Sequence, residues 1–274
     1  MLLAAVCLSL ASHLCGVVQN LPFAPESDEA VFVERAAAIA RTGSLNPGWF
    51  GHPGSRTIYP LAALFRAAAA LHVFDLAPPG WWGPRTGDSD IPPGYYLLGR
   101  LLSVLYGVMS VPLVYLVGRR AFGARVGLAG AWLFSLCPLA VQYGRIVRSD
   151  SAALFFGMLA LVACLGVYDR PGIGRRCLAG ACIGLGIASR YFMVVLIPVL
   201  LMVDAAVRLR RGAGASGGKL LAGAAAGLLS ACTAFALSTP YFFIDFTAVR
   251  GDLAFQANPA HLGYDGLGFA GNLA

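Results

Sequence analysis

The chain has 274 residues, of which 58% are hydrophobic and only 12% charged, and its formal net charge is +7. A soluble domain carries about a quarter charged residues, so this composition excludes an ordinary soluble fold. The basic residues lie at the ends of apolar segments rather than on one amphipathic face, which excludes nucleic-acid binding as the reason for the charge. We therefore predict an all-α polytopic membrane protein.

The apolar stretches predict the spans. Residues 2–18 lack a basic amino-terminal region and a well-placed cleavage site, so a retained span is favoured over a signal peptide. The later predicted spans are 95–118, 126–143, 152–168, 178–207 and 220–237. Because 178–207 is too long for one span and is interrupted at Ser189 and Arg190, we predict two helices there, or one re-entrant and one spanning segment, meeting near Arg190. The seven cysteines show neither disulfide nor metal-site spacing.

Basic turns between the spans predict the orientation. They read GRRAFGAR, DRPGIGRR and RLRRGAGASGGK and contain Arg119, Arg120, Arg125, Arg170, Arg175, Arg176, Arg208, Arg210, Arg211 and Lys219. The positive-inside rule places these turns in the cytoplasm. The turn 145–150, the region of Arg190 and the tail from Thr239 onward then face outward.

One apolar segment, 58–76, would invert this pattern if it crossed the membrane. It carries Arg66, His72 and Asp75, each of which is costly at mid-membrane. We therefore predict that it lies on the outer interface as an amphipathic helix of about 59–74, next to a second interfacial helix at 28–41.

This reasoning predicts how the chain is divided. Residues 1–274 form a single transmembrane domain, which we expect to be an amino-terminal fragment. Its parts are a first extracytoplasmic loop at 19–94, with Trp81 and Trp82 at the interface, a helix bundle at 95–238 and an extracytoplasmic tail at 239–274. A loop as long as the first one, with helices of its own, is uncommon unless it is functional.

Four polar features lie on the predicted outer side, and each has a plain interpretation when taken alone. Asp28 and Glu29 suit the first turn of a helix, where acids interact favourably with the dipole. GHPGSRTIYP reads as a turn before a helix, an arginine one turn inside a span can snorkel, and the acid of RIVRSDSAALFF can cap a helix. The residues of these last three features are His52, Pro53, Arg56, Tyr59, Arg100, Arg145, Arg148 and Asp150. Their placement on one side favours a common polar cavity.

At these residues the sequence resembles the GT-C glycosyltransferases, in particular the protein O-mannosyltransferases and the bacterial aminoarabinose transferase of lipid A. Asp28-Glu29 matches an acidic pair in the first extracytoplasmic loop of that family. The stretch from Arg100 to Arg120 matches an arginine, an apolar run and a basic turn, and Asp150 matches an acid that opens a later span. His52-Pro53-Gly54 differs from the family's His-Pro-Pro or Lys-Pro-Pro motif by lacking the second proline.

The resemblance implies a GT-C-like helix bundle whose long first loop carries interfacial helices. It also implies transfer of a sugar, with inversion, from a polyprenyl-phosphate donor to a hydroxyl or phosphate of a protein or glycolipid acceptor. Asp28 is then the expected general base, Glu29 orients the acceptor, and Asp150 positions the acceptor or helps to bind a metal. The expected cations for the donor phosphate are Arg100, Arg148, Arg190 and Arg56. His52, Pro53 and Tyr59 form the substrate loop.

Metal use varies within the resembling families, so we assign no cofactor and leave a divalent ion open. The expected location is a bacterial inner membrane, with the site facing the periplasm or cell exterior. A secondary transporter for an anionic substrate is an alternative, although no internal repeat is visible and the unusual charges lie at the interface. A non-catalytic membrane assembly protein is a second alternative, but it would not need acids gathered on one side.

Overall fold

The protein is described by a computed structural model that covers residues 1–21, 27–73, 75–76, 92–211 and 217–257. The predictions for Trp81, Trp82 and the tail beyond residue 257 lie outside these residues. The helices are α1 (Leu2–Leu14), α2 (Ser27–Thr42), α3 (Ser55–Ala70), α4 (Pro93–Phe122), α5 (Ala124–Leu136), α6 (Pro138–Gly144), α7 (Ser149–Asp169), α8 (Ile173–Ser189), α9 (Leu196–Arg211), α10 (Gly217–Ser238), α11 (Tyr241–Ile244) and α12 (Phe246–Gln256). The described residues contain no strand, so the predicted all-α fold class is confirmed.

The long apolar helices identify an integral membrane protein. Within the described ranges, four helical segments are long and apolar enough to cross a bilayer, namely Pro93–Phe122, Ser149–Asp169, Tyr191–Arg210 and Leu221–Ser238. The bent pair α5 and α6 brings the number to five if it forms one span, and α1 is a shorter apolar helix. Large apolar side chains such as Leu133 and Leu237 are more than 70% exposed on these segments, as lipid-facing residues are.

The predicted span 126–143 is broken. α5 ends at Leu136, α6 begins at Pro138, and the two axes differ by 59°. Proline has no amide hydrogen and forces the residue before it toward an extended conformation, which is the conformation of Cys137. The sequence contained this signal, but the prediction treated the stretch as one span.

The prediction of two helices meeting near Arg190 is confirmed. α8 ends at Ser189, Arg190 itself is extended with φ −147° and ψ 130°, and a 3-10 turn at Tyr191–Val195 leads into α9. The break places the backbone of Arg190 at an end of the bundle rather than inside a continuous helix.

The two helices predicted in the first loop are present as α2 and α3. They pack against each other and on the start of α4 through a buried cluster that includes Phe32, Ile58, Phe65 and Tyr96. Arg66, whose charge argued against a membrane crossing, donates from Nε to the carbonyl of Ala40 at 2.8 Å. α2 and α3 therefore form a folded layer on one end of the bundle, which can hold side chains in fixed positions.

Small residues allow the last spans to pack closely. Gly180 and Gly184 of α8 face Gly227 and Ala231 of α10, and a Cβ at either of the α8 glycines would strike the α10 backbone. Such close approach of small residues is a common way for membrane helices to associate without a hydrophobic driving force.

Segments predicted to share the outer side do meet at one end of the bundle. The amide of Gly54 donates to the carbonyl of Ser189 at 3.3 Å, and the hydroxyl of Tyr191 donates to the carbonyl of Phe50 at 2.8 Å. Arg145 donates from Nη1 to the carbonyl of Cys15 at 2.9 Å. The loop after α2 is thus linked directly to the α8–α9 break, and the turn before α7 is linked to the end of α1.

Candidate active site

Four charged side chains form a continuous row at this end of the bundle. Arg148 Nη2 lies 3.0 Å from Asp28 Oδ2, and Arg148 Nε lies 3.0 Å from Asp150 Oδ2. Arg190 Nη2 lies 2.6 Å from the same Asp150 oxygen. The row therefore alternates acid and base across α2, the start of α7 and the α8–α9 break, segments that are far apart in sequence.

The two ends of the row differ in exposure. The side chain of Asp28 is 40% exposed, whereas that of Arg190 is 11% exposed. Nε of Arg190 is buried and has no hydrogen-bond partner among the described residues. A solvent-exposed carboxylate can accept a proton from a bound molecule, and a donor nitrogen without a partner can bind an anion. The row therefore offers a proton acceptor at the Asp28 end and a hydrogen-bond donor at the Arg190 end.

Glu29 lies next to Asp28 in the chain but has a different environment. Its side chain is fully buried and accepts from Arg100 Nε at 3.0 Å and Arg100 Nη2 at 2.8 Å. Oε1 also accepts from the amide of Val147 at 2.8 Å. Both carboxylate oxygens are therefore used inside the protein, and the contact to Val147 fixes the residue that precedes Arg148.

Arg100 is also satisfied by the protein. In addition to Glu29, it donates from Nη1 to the carbonyls of Val17 and Gln19, each at 2.9 Å. The residue as a whole is 3% exposed. This geometry makes Arg100 a link between the end of α1, α2 and α4, and leaves it no free nitrogen for a donor phosphate.

His52 and Pro53 lie beside the row. The Trp49 and His52 rings meet edge to face at a centroid distance of 5.5 Å, and Pro53 is buried. Burial lowers the pKa of His52 below its usual 6.5, and the neighbouring charge of Arg190 lowers it further. The imidazole is therefore neutral near pH 7, so it can offer one donor and one acceptor nitrogen.

The turn after His52 depends on a glycine. Gly54 has a left-handed backbone with φ 56°, and a Cβ there would lie 2.7 Å from the Phe32 ring. Any other residue would strain the turn and displace Phe32 from the packing between α2 and α3. The glycine that replaces the second proline of the family motif is thus required by the local backbone.

Arg56 and Tyr59 lie in the first two turns of α3. Nε of Arg56 is buried without a hydrogen-bond partner in the described part of the chain, and its carbonyl accepts from the Tyr106 hydroxyl at 2.7 Å. Tyr59 donates to the carbonyl of Leu45 at 2.9 Å, and burial raises its pKa to about 12. Tyr59 therefore stays protonated and supports the loop, whereas Arg56 keeps donor capacity.

Two acids near the site were not predicted from the sequence. Asp252 Oδ2 accepts from the amide of Phe50 at 2.6 Å, and Asp245 Oδ2 accepts from Asn46 Nδ2 at 3.0 Å. Both belong to the segment around α12, which follows the last predicted span. Asp245 also accepts from the amide of Ala248 as a helix cap, and the spacing of that cap was a readable signal for α12. The packing of α12 against the loop before His52 could not be predicted from the sequence.

No three His, Cys, Asp or Glu side chains of the described segments come together in a way that could hold a metal ion. Asp150, for which a metal role was left open, shares its Oδ2 between two guanidinium groups. The acids of the row are therefore neutralised by arginines.

The fold and this end of the bundle define a polytopic membrane protein in which acidic and basic side chains from the first loop, the start of α7 and the α8–α9 break are paired. A family profile described as "Dolichyl-phosphate-mannose-protein mannosyltransferase" matches residues 97–235, just over half of the chain. The chain belongs to that family. No curated protein sequence matches it.

Among solved structures, the chain is similar to one in the structure of the S. cerevisiae protein O-mannosyltransferase Pmt1-Pmt2 complex bound to the sugar donor. The TM-score is 0.57 and the sequences are 21% identical, over 90% of this chain and 34% of that one. The likeness confirms the predicted GT-C-like fold. The chain spans about a third of the length of that yeast chain.

Proposed function

We propose that the protein is a membrane glycosyltransferase that moves a sugar, with inversion, from a polyprenyl-phosphate donor to an acceptor hydroxyl on the extracytoplasmic side. This proposal is supported by the row of Asp28, Arg148, Asp150 and Arg190. The row brings a solvent-exposed carboxylate and two fixed cations together at one end of the bundle. Mannose is the first sugar to test, since the description of the family names dolichyl-phosphate-mannose.

Asp28 is the proposed general base. A neutral hydroxyl is a weak nucleophile and reacts faster when a carboxylate removes its proton in the transition state. In the proposed step the acceptor oxygen forms a bond to the anomeric carbon while the bond from that carbon to the donor phosphate oxygen breaks. The acceptor proton passes to Asp28, and the lipid phosphate leaves with the bonding electrons.

Arg190 and Arg148 are the proposed partners of the leaving phosphate. Fixed positive charges stabilise negative charge that develops on a leaving group, and a guanidinium can donate two hydrogen bonds to one phosphate. Nε of Arg190 has no partner in the described chain, and Arg56 offers a further unpaired nitrogen at the start of α3. Arg100 has no part in this proposal because Glu29 and two backbone carbonyls occupy its guanidinium.

Asp150 and Glu29 are proposed as positioning residues. Asp150 holds both arginines of the row through one oxygen, which fixes the separation of their charges. Glu29 binds Arg100 and the amide of Val147, so it fixes the backbone next to Asp28 and Arg148. His52 lies beside the row, and we propose that His52 and Pro53 contact the substrate.

The location follows from charge. The row lies at the end of the bundle opposite the arginine-rich turns, which the positive-inside rule assigns to the cytoplasm. We therefore propose that the site faces the periplasm or cell exterior of a bacterial inner membrane. A protein or a glycolipid is the proposed acceptor.

The test uses membranes that contain the full-length protein and polyprenyl-phosphate mannose labelled in the sugar. The proposal expects label to leave the lipid fraction faster than in membranes from cells that lack the protein. The same membranes with labelled polyprenyl-phosphate aminoarabinose or glucose identify the preferred sugar. Absence of transfer from all three donors would contradict the proposed activity.

A further inference from the structure

A second basic feature lies away from the row, at the other end of the bundle. A cleft of about 190 Å³ opens between α4, α7 and α8. Its walls are mostly apolar and include Leu159, Val162 and Leu178, and its polar side chains are Arg120 and Arg175. These arginines belong to two different turns of the predicted cytoplasmic side, and the proposed transfer reaction uses neither of them.

The two guanidinium groups converge over a glycine of α7. A Cβ built on Gly166 would lie 3.5 Å from Arg175 Nη1 and 3.9 Å from Arg120 Nη1. Arg120 Nη1 is also held by the carbonyl of Val162 at 2.9 Å. The absence of a side chain at Gly166 therefore leaves a small space that both cations border.

Among the residues that the structure describes, no carboxylate pairs with these two arginines. Within the described ranges, neither Arg120 nor Arg175 forms an ion pair, whereas Arg176, which follows directly, is paired with Asp204 at 2.6 Å. The two guanidinium groups carry like charges and repel each other beside the low-dielectric interior of a bilayer. An anion between them would remove this repulsion and accept hydrogen bonds from both guanidinium groups.

The walls indicate what kind of anion fits. A free phosphate makes no favourable contact with apolar walls, whereas a phospholipid has an anionic headgroup joined to apolar chains that can pack against them. Basic pockets between spans near the membrane surface bind such headgroups. We propose that this cleft, lined by Arg120, Arg175 and the α4, α7 and α8 side chains, binds an anionic phospholipid of the leaflet opposite the row of charges.

The experiment titrates purified, delipidated full-length protein with phosphatidylglycerol or phosphatidylcholine and counts bound lipid by native mass spectrometry. We expect the protein to retain phosphatidylglycerol preferentially. The double variant Arg120→Gln/Arg175→Gln should weaken this retention by about tenfold or more, because two charge-assisted hydrogen bonds are lost. The matched control Arg125→Gln/Arg170→Gln removes the same charge from the same end without touching the cleft and should bind like the wild type.

The single variant Arg175→Gln keeps the test valid if the double variant does not fold. Arg175 is exposed, and no hydrogen bond to another described residue depends on it. Equal lipid retention by the wild type and the cleft variants would overturn the proposal. Equal loss in the control variant would also overturn it, since binding would then follow net charge alone. Displacement of the lipid by glycerol phosphate at equal concentration would contradict the role of the apolar walls.

Discussion

Glu29 and Arg100 form a two-point ion pair that is sealed from solvent. The side chains are 0% and 4% exposed, and Nη2 of the arginine lies 2.8 Å from Oε2 of the glutamate. The pair joins the first loop to α4, and Glu29 also binds the amide of Val147. Asp28 precedes Glu29 in the chain and Arg148 follows Val147. The geometry of the row therefore depends on the Glu29–Arg100 pair, which is not part of the row.

Removing one member of this pair should destabilise the protein strongly. The variant Glu29→Ala leaves the Arg100 charge buried without a counter-ion, which costs about 3–5 kcal/mol in the free energy of unfolding. Thermal unfolding in detergent measures the loss. The double variant Glu29→Gln/Arg100→Gln should lose less than Glu29→Ala, because neither charge remains buried. A melting temperature of Glu29→Ala equal to that of Glu34→Ala, a control in the same helix, would contradict this interpretation.

Replacing Arg190 should slow sugar transfer without unfolding the protein. The variant Arg190→Gln removes a fixed charge from the proposed leaving phosphate, and we expect turnover to fall by roughly 10²–10³. Arg190→Lys keeps the charge but not the forked geometry, so its turnover should be intermediate. Arg250→Gln, at an exposed position of α12 on the same side, is the control. A wild-type rate for Arg190→Gln would argue against the phosphate role.

The protein should lose stability in mild acid through His52. The pKa of His52 is lowered by burial and by Arg190, so the unfolded chain takes up this proton at a higher pH than the folded one. The contribution of neutral His52 to the free energy of unfolding is therefore present above about pH 6.5. It is lost as the pH falls through the lower pKa of the folded state. Melting temperatures measured across this range should decline more for the wild type than for His52→Gln. Parallel curves would show that His52 does not contribute.

Releasing α12 should loosen the loop that carries His52. Asp252 accepts a hydrogen bond from the amide of Phe50 at 2.6 Å, a contact with a charged group that is worth about 1.5–3 kcal/mol. In Asp252→Ala, amide hydrogen exchange over residues 43–54 should accelerate by roughly tenfold or more. Arg250→Gln, which lies on the same helix and is exposed, should leave that exchange unchanged. Unchanged exchange in Asp252→Ala would mean that α12 does not hold the loop.

Patterns local in the sequence predicted most of the fold. Hydropathy predicted the long apolar helices, apart from the break between α5 and α6, and the arginines of the basic turns predicted which segments share an end of the bundle. The conflict between Arg66 and a membrane crossing predicts that 58–76 is not a span, and the structure shows in this stretch the helix α3, which packs against α2. The prediction of the apolar helices succeeded because it depends on neighbouring residues and on the bilayer, which imposes one simple rule along the whole chain.

Pairings between distant residues could not be predicted in the same way. Glu29 and Asp28 are adjacent and chemically alike, but only the tertiary structure shows that Glu29 is buried against Arg100, 71 positions away. The same holds for Arg190 and Asp150, which are 40 positions apart. The sequence indicated which charged residues share a side of the membrane, whereas the packing of α1, α2 and α4 decides which of them are used internally.

The central claim is that Asp28 is the base in transfer of a sugar from a lipid phosphate. The most direct measurement is the initial rate at which labelled sugar leaves polyprenyl phosphate in membranes containing Asp28→Asn, with expression and melting temperature matched to the wild type. Asp169→Asn makes the same chemical change at an exposed position at the opposite end of the bundle. We expect Asp28→Asn to lower the rate by about 10²–10⁴ and Asp169→Asn to leave it unchanged. A wild-type rate for Asp28→Asn would contradict the claim.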